Sequence, residues 1–232
     1  MLVFWDIDGT LLSTGRAGIF AWQEALAEVG GVDADLWSFD TAGHPDFGIA
    51  ARLLRHFTGI AEPDTALVRR LVERYEDRLP AALTRRTGGV LPNVRGILEA
   101  LAREPRACSM LLTGNTRRGA RAKLEYYGLA GFFRDGGFSD EGADRAVIAR
   151  IALERAREAG NGAEADRVFV VGDTPHDVLC SRAIGARAIA VATGAYTTDD
   201  LAATGAWLVF PELPPAPEFV ALLQAREVVA DA

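Results

Sequence analysis

Leu2-Val3-Phe4-Trp5-Asp6-Ile7-Asp8-Gly9-Thr10 is the stretch that decides the fold. The run from Leu2 to Ile7 is apolar but for one acid, too short for a free-standing helix, and followed at once by a glycine. A strand buried on both faces of a parallel sheet reads this way. Alternation along a strand puts Asp6 and Asp8 on one side, where two carboxylates repel. Something positive must hold them, or one must carry a proton. Gly9 then allows a sharp turn at the strand's carboxyl end, which is where ligands of open α/β sheets gather.

Working outward, similar short runs lie at Ala107–Leu112, Val168–Val171, Ala188–Val191 and Trp207–Phe210. Helical patterns separate them at Thr116–Tyr127, Ala143–Ala159, Pro175–Ile184 and Glu218–Val228. Strands alternating with helices predict an α/β protein with a Rossmann-like parallel sheet. The first connection breaks the rhythm: about a hundred residues separate the first two strands, where a crossover needs about a dozen. Within that gap Gly18–Val29, Pro45–Phe57 and Thr65–Leu83 have helical spacing and no strand pattern appears. The expectation is an inserted all-helical cap domain over residues 15–87, with 1–14 and 88–232 forming the core.

Two more strand ends carry chemistry. The second closes in Thr113-Gly114-Asn115, where a hydroxyl and free N–H groups at a helix start can hold a phosphate oxygen; the same letters are also ordinary turn and cap chemistry. The third leads into Gly172-Asp173-Thr174-Pro175-His176-Asp177. Asp173 sits directly at the strand end. Asp177 fits equally a capping box with Thr174 and a place in the site. Converging carboxylates and a hydroxyl are hard oxygen ligands that suit Mg²⁺.

Composition narrows the partners. A net charge of −7 argues against a nucleic-acid surface, so any cation for an anionic ligand must be local. Charge arrives by the sixth residue and no later run has membrane-spanning length, so neither a signal peptide nor a membrane partner is expected. Two cysteines without CxxC spacing read as free thiols and suit a reducing cytoplasm. Lys123 is the only lysine.

Asp-x-Asp-Gly-Thr, a strand-end Thr, a downstream cation and Gly-Asp-Thr-x-x-Asp, in this order over nearly the whole chain, resemble the haloacid dehalogenase-type hydrolase superfamily. The helical insertion resembles the cap of its phosphoglycolate phosphatase-like branch. The resemblance implies that Asp6 attacks phosphorus, while Asp8 protonates the leaving alcohol and then activates water. It also implies that Asp6, the Asp8 carbonyl, Asp173 and, through water, Asp177 hold Mg²⁺. Thr113, Gly114 and Asn115 would bind the phosphate of a small phosphorylated metabolite. The family usually carries a lysine before its last motif. Here Asp144-Arg145 opens that helix and Lys123 lies earlier in the chain, so Arg145 is assigned to neutralising Asp6 and the phosphate, with the different geometry of a guanidinium.

In the insertion Gly43-His44-Pro45-Asp46 resembles the substrate-facing loop of that branch, although Asp46 beside Pro45 is also a plain helix start. His56 is expected to be partly buried among Leu53, Leu54 and Phe57, His176 to sit in an ordinary first helical turn, and the four tryptophans to be core aromatics. A phosphosugar mutase would share every core residue. A non-catalytic phospho-aspartate switch would have no cap and no acid two residues beyond the phosphorylated Asp. Monomer and homodimer are equally open.

Overall fold

The structure is a computed structural model that describes residues 1–142 and 144–225. Its centre is a six-stranded sheet built from β1 (Leu2–Trp5), β4 (Cys108–Leu112), β5 (Gly136–Gly137), β6 (Val168–Gly172), β7 (Arg187–Val191) and β8 (Leu208–Phe210). The strand order is β5-β4-β1-β6-β7-β8, and every pairing is parallel. Phe4 lies opposite both Met110 and Val170, so β1 is central and its neighbours end level with it. Asp6, Thr113 and Asp173 therefore leave the sheet along one edge.

The two faces of β1 separate with the period of two. Val3 and Trp5 join Val94, Ile97 and Leu98 of α4 (Val94–Arg103) and Phe219 of α9 (Ala216–Gln224) in one buried cluster. Leu2 and Phe4 join Ile148, Ala149 and Ala152 of α6 (Arg145–Glu158) and Cys180 of α7 (Pro175–Ala183) in another. Each such side chain taken fully out of water contributes about 1.5–3 kcal/mol, which makes this stretch a structural keel as well as a carrier of acids.

Two-residue strands β2 (Leu12–Ser13) and β3 (Gly89–Val90) pair antiparallel, Leu12 against Val90 and Ser13 against Gly89. Between them lie only helices, α1 (Gly18–Gly30), α2 (Asp46–Thr58) and α3 (Thr65–Leu83), which share an apolar cluster of their own around Trp22, Leu26, Leu53 and Leu71. The remaining helices are α5 (Arg117–Tyr126) and the short α8 (Thr198–Ala203).

Several expectations shift. Strand β5 escapes a hydropathy reading because it is two glycines, held to β4 by backbone pairing alone. Neither α4 nor α8 is among the helices expected. The pattern at Glu218–Val228 becomes a helix ending at Gln224, its last residues lying outside the described chain, as does Ala143. His56 is exposed, edge-on to Phe57. Trp5, Trp22 and Trp207 pack against aromatic neighbours. Trp37 is half-buried against the cluster of α1–α3, edge-on to Phe20, with Arg16 and Arg86 over its ring. Both cysteines are free thiols. Among the described residues no helix is long and apolar enough to cross a membrane.

Candidate active site

Beyond the carboxyl ends of β1, β4 and β6 lies a cavity of about 250 Å³, floored by these strand ends and roofed by α1–α3. On its floor Asp6, Asp173 and Asp177 each place a carboxylate oxygen within 4.8 Å of the others. All three are buried. Asp6 continues the ladder by donating its N–H to the Val171 carbonyl at 3.0 Å. Thr10 donates to Asp173 at 3.1 Å. Asp177 caps its own helix and also stands in the acidic cluster. It accepts from the N–H and hydroxyl of Thr174 as the third residue of a capping box, and it pairs with Arg145.

Arg145 is buried rather than a surface partner of Asp144, whose side chain instead accepts the Ala146 N–H. Its guanidinium contacts Asp177, stands 4.0 Å from Asp6 and donates to the Gly43 carbonyl at 3.3 Å. One guanidinium thus faces two of the three acids. Burial first, then the neighbouring charge of Asp177, pushes the Asp6 carboxyl up to about 7. Burial, then Asp6, pushes Asp173 up to about 9.

Asp8 faces elsewhere. Its half-exposed carboxylate accepts from Lys123 Nζ at 2.6 Å and from Asn115 Nδ2 at 2.8 Å. The same ammonium donates to Asn115 Oδ1 at 2.6 Å. Lys123, set aside on its place in the sequence, is buried at the cavity. The signal was helical phase: Thr116 caps α5 by accepting the Gly119 N–H, and Thr116, Gly119 and Lys123 recur at i, i+3 and i+7 on one face. The site therefore has two cations, one on each acid of the first strand end.

The N–H groups after β4 are less free than expected. The Asn115 N–H goes to Thr113 Oγ1, and the Thr116 N–H goes to the carboxylate of Asp46 at 2.8 Å. An acid of α2 thereby occupies an anion position at the α5 terminus. Asp46 also donates its backbone N–H to the Gly114 carbonyl at 2.7 Å, and a Cβ on Gly114 would stand 3.0 Å from the His44 carbonyl. Gly43, at φ +68°, passes so close to His176 that a Cβ there would fall 2.6 Å from its ring. His44 lines the cavity 3.7 Å from Asp40.

Burial, opposed mainly by Lys123, raises the Asp46 carboxyl to about 7. For an acid raised on folding, the stability contribution is full below about pH 4 and is lost as pH rises through about 7. Asp46→Asn keeps an acceptor for Thr116 and cannot ionise. Its Tm should fall less than the parent's between pH 5 and pH 8, by about 2–4 °C for each kcal/mol removed. Parallel Tm curves for the two proteins would refute this.

The haloacid dehalogenase-like hydrolase family matches residues 3–182, a span that contains every one of these strand ends. The chain belongs to that family. It is 33% identical over 220 residues to the phosphoglycolate phosphatase of Rhodospirillum rubrum, covering 90% of this chain and 86% of the relative. It is 27% identical over 204 residues to that of Mesorhizobium japonicum, covering 83% of each. In fold it is similar to CbbY from Rhodobacter sphaeroides, solved in complex with phosphate, with a TM-score of 0.72, 20% identity and coverage of 91% and 93%. The chain is accordingly a haloacid dehalogenase-like enzyme of the phosphoric monoester hydrolase class.

Hydrolases of this family are expected to use a divalent metal, and the floor fits one. Its donors are all carboxylate oxygens, crowded so closely that they raise one another's pKa, a repulsion that a bound cation would relieve. Space is kept for them by glycines. A Cβ on Gly9 would fall 2.3 Å from an Asp173 oxygen, and one on Gly194 would fall 1.7 Å from it.

Proposed function

We propose that this hydrolase cleaves small phosphate monoesters through a phosphorylated Asp6. What carries the reading is the division of two neighbouring acids between unlike surroundings. Asp6 is buried against Thr113 and Arg145, while Asp8 stands half-exposed beside Lys123 and Asn115. Acids separated in this way take separate tasks.

Asp6 attacks phosphorus, and the ester bond to the alcohol breaks as its oxygen takes a proton from Asp8. Asp8, now a carboxylate, removes a proton from the water that attacks the aspartyl phosphate, which restores Asp6 and releases phosphate. Thr113, Gly114 and Asn115, with the ammonium of Lys123, hold the phosphate oxygens. Arg145 screens Asp6 so that an anion can approach it. Mg²⁺ would be held by the carboxylates of Asp6 and Asp173 and by the Asp8 carbonyl, with Asp177 supporting through water, and would supply further neutralising charge. The substrate is a small phosphorylated metabolite of the size the cavity admits, in the class named for the two curated relatives. Helices α1–α3 act as the cap.

Chelation tests the reading. Release of p-nitrophenol from p-nitrophenyl phosphate should stop in EDTA and return with Mg²⁺. Ca²⁺ should inhibit, because it accepts looser and higher coordination. Full activity in chelator would sink the metal assignment.

A further inference from the structure

The first turn of α5 is not self-sufficient. It opens Thr116-Arg117-Arg118, two cations and no acid at the helix end where negative charge is favoured. The N–H groups there need partners from outside the helical ladder. The Gly119 N–H goes to the Thr116 hydroxyl, and the Arg117 N–H goes to Asp140 of the core at 2.6 Å. The Thr116 N–H goes to the cap, to the buried carboxylate of Asp46.

Asp46 also gives its own N–H to the Gly114 carbonyl, so one cap residue closes a pair of hydrogen bonds around Asn115. The seam is tight: a Cβ on Gly114 would press on the His44 carbonyl at 3.0 Å and on the Pro45 Cα at 3.1 Å. Beside it Arg118 reaches Asp77 at 2.6 Å and Glu76 at 3.5 Å, both on α3. Two cap helices thus supply the acids that the α5 start lacks. The stretch they grip is the one that meets phosphate. Gly114 and Asn115 lead into it, and Lys123, two turns along the helix, reaches back to Asn115 and Asp8. Asp46 lines the cavity as well, so direct contact with the substrate is the rival role for it.

We propose that Asp46 is a positioning residue: by docking the cap on the start of α5 it sets Gly114, Asn115 and Lys123 for phosphate, so that cap docking and phosphate binding strengthen each other. This rests on the proposed phosphatase chemistry and adds a coupling to it. The coupling is reciprocal, because the loop arrangement that phosphate favours is the one the cap holds.

Inorganic phosphate with Mg²⁺ is the probe, since it fills the floor and has no alcohol portion to reach the cap. Asp46→Ala should raise the phosphate inhibition constant and the KM for p-nitrophenyl phosphate together, each about tenfold, the scale of one hydrogen bond to a charged acceptor. The fall in kcat should be smaller. Asp46→Asn keeps an acceptor for the Thr116 N–H and should restore most of both constants. An unchanged inhibition constant in Asp46→Ala would overturn the coupling, and a loss confined to the ester would make Asp46 a substrate contact. An asparagine variant as impaired as the alanine one would overturn it too. A second readout needs no variant. In the parent, exchange of the Thr116 and Asp46 amide hydrogens should slow together, about tenfold, when phosphate and Mg²⁺ are added. Unchanged exchange at both, or slowing at Thr116 alone, would equally overturn the coupling. A parent that neither hydrolyses p-nitrophenyl phosphate nor binds phosphate would bring down the phosphatase reading and the coupling with it, whereas an active parent with an indifferent Asp46→Ala brings down the coupling alone.

Discussion

Asp6→Asn should yield a folded and inert protein. Release of phosphate should drop to background, on the order of 10⁶-fold, the scale of removing a covalent nucleophile from a concerted site. The fold should not suffer. Ionised Asp6 is an unfavourable charge among Asp177, Asp8 and Asp173, which is why its carboxyl is raised to about 7. A raised acid loses its contribution to stability as pH climbs through that value, whereas asparagine does not titrate. At pH 8 and without metal the variant should therefore melt no lower than the parent. Residual turnover above background would show that the nucleophile is elsewhere. A collapsed Tm would show that Asp6 is needed for folding.

Lys123→Ala should reduce kcat/KM on the order of 10²–10³-fold, as loss of one preorganised charge contact does. The buried ammonium touches both Asp8 and Asn115, and no other lysine exists to replace it. Arg145→Ala should also reduce kcat/KM on the order of 10²-fold, but with a different signature. Asp177 and Asp6 would be left buried without their counter-charge, and breaking such a pair costs about 3–5 kcal/mol. A marked fall in Tm should accompany the fall in rate, and Arg145→Lys should restore part of both. Arg121 and Arg150 are exposed and should tolerate alanine. Near-parental activity of Lys123→Ala would remove it from the site.

What the sequence made legible follows from how local each signal is. The acids of Asp6-Ile7-Asp8 and Gly172-Asp173 sit at the ends of apolar runs, so their convergence on one sheet edge followed from topology alone. Helices α1–α3 were legible from their apolar spacing, whereas the two-residue strands β2 and β3 in the same stretch were too short to leave a pattern. Lys123 was not, because its place depends on the phase of α5 and on a long side chain reaching back to β1. Tyr75 falls within the helical stretch Thr65–Leu83, and only packing shows that it lines the cavity. Asp46 read as either a helix start or a substrate reader. Its carboxylate in fact bonds a backbone N–H on a different element, a contact that no spacing encodes.

The rung formed by Ser13 and Gly89 has a consequence for how such a protein diversifies. Paired strands lie about 4.8 Å apart, so the helical segment leaves and rejoins the rest of the chain at one small two-stranded pair beside the main sheet. Its ends are already brought together, and lengthening a closed segment costs only about 0.6 kcal/mol per doubling. The segment between them is therefore a natural unit of exchange. Replacement with the corresponding piece of a relative would trade one roof for another. Asp6, Asp8 and Asp173 would keep their places at the ends of strands the graft never enters.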